Sequence, residues 1–80
     1  MQIPIIKKIA EKYTAAELQK AEEALLEELT PEIEIEGKDE GEKLTHIMAA
    51  LWVKEEMEKN GLPVGKAVRN YTVKVRNSIS

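Results

Sequence analysis

The side chains with the most chemistry to offer in this chain are one histidine, fifteen carboxylates and two serines. His46 follows Glu42 by one helical turn, a spacing that sets an imidazole and a carboxylate on the same helix face as two metal ligands. A closed zinc site needs four ligands, and the chain has no second His and no Cys. No metal is therefore expected, and His46 reads as a hydrogen-bonded structural residue. The acidic run Gly37-Lys-Asp-Glu-Gly-Glu42 lacks the alternating ligand positions and closing glutamate of an EF-hand loop. Carboxylate pairs are abundant, but acid–base catalysis requires two carboxyls in unlike environments, and nothing marks one of these as buried. Ser78 and Ser80 sit too near the chain end to suggest a nucleophile, and Gly61-Leu-Pro-Val-Gly65-Lys66 lacks the spacing and Ser/Thr of a phosphate loop. The expectation is a protein without catalytic residues, metal or cofactor.

Charge distribution is more informative. All fifteen acids lie at or before Glu58; residues 1–60 carry a net −7, whereas Lys66, Arg69, Lys74 and Arg76 give residues 61–80 a net +4. Between Glu22 and Glu42, ten carboxylates meet a single Lys. If residues 63–78 are helical, Lys66, Arg69, Asn70, Lys74, Arg76 and Asn77 fan across one face, with Val73 near its middle. An apolar residue ringed by bases is a contact point for an acidic protein partner. The competing reading is internal pairing with residues 32–42. A second alternative is a helix-turn-helix nucleic-acid reader, since Asn60-Gly61-Leu62 precedes a helix bearing bases and amides. The overall charge of −3 weighs against phosphate binding.

These residues need elements to position them. Pro4 suits the first turn of a helix, and Ile6, Ile9, Ala10 and Tyr13 recur at helical spacing. Thr14-Ala-Ala-Glu17 is a capping box, behind which Leu18, Ala21, Leu25 and Leu29 line a second helix. Pro31 predicts that this helix ends near Glu28 or Leu29. Glu32-Ile-Glu-Ile-Glu36 alternates with period two and predicts an extended segment with Ile33 and Ile35 inward. Gly37 and Gly41 bracket a loop, and a third helix runs from about Glu42 to Asn60, stopped by Gly61. After Pro63, the spacing of Val64, Ala67, Val68, Tyr71 and Val75 predicts a fourth helix. Its rival is a strand over Tyr71–Arg76 paired with residues 32–36.

The third helix is apolar on two sides. Leu44, Ile47, Met48, Leu51 and Trp52 form one face; His46, Ala49, Ala50, Val53 and Met57 form another. Either the chain's own helices cover both, or the second face is the seam of a homodimer, because small domains often need extra burial.

The segments Glu40-Gly-Glu-Lys-Leu-Thr-His46 and Val68-Arg-Asn-Tyr-Thr-Val-Lys-Val-Arg-Asn-Ser-Ile79 resemble a family of small bacterial proteins of unknown function. Ile3-Pro-Ile-Ile-Lys-Lys8, Tyr13-Thr14 and the Glu-Ile-Glu-Ile-Glu-Gly37 run fit the same pattern, so the likeness spans nearly the whole chain. The resemblance carries over no site residue. It implies an accessory role beside thiol-redox proteins, in which this cysteine-free chain exchanges no electrons itself.

The expected fold is therefore all-α or mostly α: one domain over residues 1–80, with four short helices and an extended acidic segment between the second and third. The α+β pairing of 32–36 with 71–76 is the alternative. The expected function is a non-catalytic protein-interaction or accessory module. The start has no basic region ahead of an apolar core, and the longest apolar run, Ile47–Val53, is seven residues. A cytoplasmic location without a membrane span is expected.

Overall fold

The computed structural model describes residues 3–79, with the side chain of residue 79 left aside, as four helices: α1 (Ile3–Lys12), α2 (Ala15–Leu26), α3 (Glu40–Asn60) and α4 (Val64–Ile79). Ser80 lies outside the described residues. No strand occurs among them, so the α+β alternative is not needed. Tyr71–Arg76 lies inside α4, because the apolar spacing from Val64 to Val75 extends further than the short alternation that argued for a strand.

Local signals set most helix ends. Thr14 Oγ1 accepts from the Glu17 amide at 3.1 Å, and Glu17 Oε1 accepts from the Thr14 amide at 2.9 Å, completing the capping box. Gly61, at φ 62°, closes α3 in the left-handed region. Two ends differ from the sequence reading. Helix α2 stops at Leu26, two to three residues early, because the chain turns at Glu28 (φ 61°) before Pro31 takes effect. There the Leu29 amide donates to Ala24 O (2.7 Å) and the Glu28 amide to Leu25 O (3.1 Å), the paired bonds of a Schellman motif. Leu29 thus leaves the helix and is exposed. Helix α3 begins early, at Glu40, because Asp39 Oδ1 accepts from the Glu42 amide at 2.8 Å and acts as N-cap; Gly41 lies in the first turn rather than the loop.

Residues 32–36 are irregular and unpaired, and their alternation persists: Ile35 is buried, Ile33 half-buried, and Glu32, Glu34 and Glu36 are exposed. Tyr13 Oη donates to Glu34 O at 3.1 Å, and Lys8 Nζ meets Glu36 Oε1 at 3.0 Å, fastening this segment to α1. At its end Gly37 crosses close to α3; a Cβ there would lie 2.8 Å from Lys43 Cγ and 3.0 Å from the Lys43 amide nitrogen.

The core is one aliphatic cluster around α3, which touches α1, α2 and α4. Ile6, Ile9 and Ala10 come from α1, Leu18, Ala21 and Leu25 from α2, and Ala67 and Val68 from α4. Ala49 and Ala50 of α3 are wholly buried; with only a methyl each, they allow neighbouring backbones to approach. Lys54 Nζ donates to Ala10 O at 2.9 Å, satisfying a carbonyl near the end of α1. Helix α1 also packs on α4, whereas α2 and α4 do not touch among the described residues. The thinnest dimension is 18 Å, room for about two helix layers, so α3 is not wrapped on every side.

Candidate functional site

The second apolar face of α3 is interior. His46, Ala49, Ala50 and Val53 are completely buried, and Met57 packs half-buried against the same cluster. The chain's own helices cover His46, Ala49, Ala50 and Val53, so the dimer seam drawn through them is corrected, while Met57 stays half-buried at the edge of the cluster. Nδ1 of His46 lies 2.8 Å from Glu36 O. A carbonyl only accepts, so Nδ1 carries the proton and donates, tying the acidic segment to α3. Glu42 Oε1 accepts from the Lys38 amide at 3.3 Å. Among the described residues no three of His, Cys, Asp and Glu converge as a metal would require.

Only part of the first face is covered. Ile47 is buried, Leu44, Leu51 and Trp52 are half-buried, and Met48 is 54% exposed. Of the two alternatives the sequence offers for the second face, cover by the chain's own helices holds; small Ala49 and Ala50 admit neighbouring helices closely, while the bulky Met48–Trp52 side stays partly open. Between this side of α3 and the start of α2 runs an open groove lined by Ala15, Leu51, Met57 and Leu62, with Glu55 and Glu58 exposed along it. Periodicity could have shown its edges, since Ala15, Gln19, Glu22 and Leu26 share one stripe of α2 and Leu44, Met48, Leu51 and Glu55 one stripe of α3.

Helix α4 buries Ala67 and Val68 and turns its bases outward. Lys66, Arg69, Arg76 and Asn77 are exposed, Asn70 is half-buried, and Val73 is 47% exposed among them. Lys74 sits to one side: its Nζ lies 5.7 Å from the centre of the Trp52 ring, which is itself 5.5 Å from Tyr71 at an interplanar angle of 54°. It therefore braces α4 against α3. Burial raises the Tyr71 phenol above its ordinary pKa.

Among the described residues no ion pair neutralises this face from within the chain. Lys8–Glu36 is the one ion pair among the described residues, and none joins the α4 bases to residues 32–42. The topology explains this, because the acidic segment is fastened to α1 and α3 by Tyr13, Lys8 and His46 while the outer side of α4 faces away from its own partners.

A protein-family model described as "Family of unknown function (DUF6952)" matches residues 1–80. No curated protein and no solved structure matches the chain. Among the described residues no helix is long and apolar enough to cross a membrane.

Proposed function

The chain belongs to that family, and from this premise we propose that it is a non-catalytic interaction module whose α4 outer face receives an acidic protein surface. The observation that carries the reading is Val73, half-exposed between Lys66, Arg69 and Arg76, none of which has an ion-pair partner among the described residues. An apolar anchor inside a ring of unpaired bases offers a desolvated contact together with charge steering. Any accessory role beside thiol-redox proteins would run through this face, since the chain carries no thiol. A cytoplasmic setting fits both.

The test is fluorescence anisotropy of a labelled synthetic helical peptide, with Leu on one stripe and Glu elsewhere. Arg69→Glu/Arg76→Glu should weaken binding by at least about tenfold, from the lost pairs and the added repulsion. Arg69→Lys/Arg76→Lys should retain it. Equal affinity for the reversed variant removes the proposal. Tight, salt-sensitive binding to duplex DNA, with none to the peptide, would replace it with the nucleic-acid reading.

A further inference from the structure

We infer that the α4 outer face docks into the α2–α3 groove of a second copy of this chain, so that copies associate head to tail; this rests on the α4 reading above and names its partner. The groove has the character that face calls for. Ala15, Leu51, Met57 and Leu62 give it an apolar lining; Glu55 and Glu58 are exposed along it, and the one lining base, Lys54, is half-buried with its Nζ on Ala10 O.

The surface also continues beyond the groove. Ala15 and Gln19 at the start of α2 lie beside Leu51, Glu55 and Glu58 toward the end of α3, so the two helices run antiparallel. Two turns further along the same α2 stripe lies Leu26, and one turn before Leu51 on the α3 stripe lies Met48. These side chains are 64% and 54% exposed. A strip of that length suits a helix laid lengthwise, and α4 spans 16 residues.

The occupant must be another copy. Helices α2 and α4 make no close approach to each other among the described residues, and Val73 lies exposed on α4, so a chain does not bring its own α4 face to its own groove. Complementarity is supplied by the chain itself, with exposed Glu55 and Glu58 along the groove against exposed Lys66, Arg69 and Arg76 on α4. Each copy then offers one donor face and one acceptor groove. Such a heterologous contact does not close on a two-fold axis and builds chains or rings.

Sedimentation velocity on the full chain tests this over a dilution series at low salt and at about 0.5 M salt. At low salt the weight-average mass should rise with concentration, and high salt should reduce it. A donor variant, Arg69→Gln/Val73→Ser/Arg76→Gln, and an acceptor variant, Met48→Gln/Glu55→Gln/Glu58→Gln, should each be folded by circular dichroism and monomeric. Their equimolar mixture should form a two-chain complex and nothing larger, because it holds one intact face and one intact groove. A wild type monomeric throughout, variants that associate as the wild type does, or a mixture that stays monomeric would each overturn the inference. If a monomeric wild type still binds the Leu/Glu peptide through Arg69 and Arg76, the α4 reading stands and only the choice of partner falls.

Discussion

Replacing Glu28 with glycine should stabilise the protein, although it deletes a side chain and makes no new contact. Glu28 holds φ 61° at the turn that ends α2. A residue with a Cβ is strained there by about 1–2 kcal/mol. Glycine removes that strain but adds unfolded-state freedom costing about 0.5–1 kcal/mol. Removing a carboxylate from the negative end of a helix contributes roughly another 0.3 kcal/mol. The net is about 1 kcal/mol in favour of Glu28→Gly, or about 4–8 °C in melting temperature for a domain of this size. Urea unfolding followed by circular dichroism reads it directly, as a higher midpoint at unchanged slope. Glu28→Ala separates the causes, since it removes the charge but keeps the strain and should gain less than glycine does. The mirror substitution, Gly61→Ala at φ 62°, should lower the midpoint. A Glu28→Gly midpoint equal to or below wild type would refute the assignment of strain to this turn.

Three further outcomes follow from the geometry. Thr14→Ala removes the hydroxyl that accepts from the Glu17 amide and should cost about 1 kcal/mol of stability, read in the same urea assay. His46→Leu keeps most of the buried volume but leaves Glu36 O without its donor, so a loss of about 1–3 kcal/mol is expected; a variant as stable as wild type would show that this bond does not hold the segment. Lys8 has its pKa raised by its hydrogen bond to Glu36 and by that carboxylate's charge. Because the folded-state value is the higher one, the pair's contribution is full below the unfolded lysine pKa and is lost as pH rises through the folded one. The stability difference between wild type and Lys8→Met should therefore be constant at neutral pH and vanish at strongly alkaline pH. A difference that grows with pH would contradict the pairing.

How far the sequence could be read follows from the range of each signal. The capping box at Thr14 and the glycine stop at Gly61 are local backbone chemistry, and both stand where the spacing placed them. The four-helix pattern was legible because apolar periodicity over α1 and α4 is long. The end of α2 was not, because Glu28 adopts a conformation its residue type does not advertise. Whether the chain itself covers the second α3 face stays open in the sequence for a different reason. Both faces are apolar, and which one is buried depends on how closely other helices approach Ala49 and Ala50, a tertiary quantity. The separation of the α4 bases from the acidic segment was equally hidden, since it depends on Tyr13, Lys8 and His46 fastening residues 34–36 elsewhere.

Whether the outer side of α4 is a docking surface is tested most directly by an amide chemical-shift titration of dilute protein with the Leu/Glu peptide. Saturable shifts should centre on Lys66, Arg69, Val73 and Arg76 and leave Ala49 and Ala50 unmoved. An unchanged spectrum at high peptide concentration, or shifts centred away from α4, would contradict it.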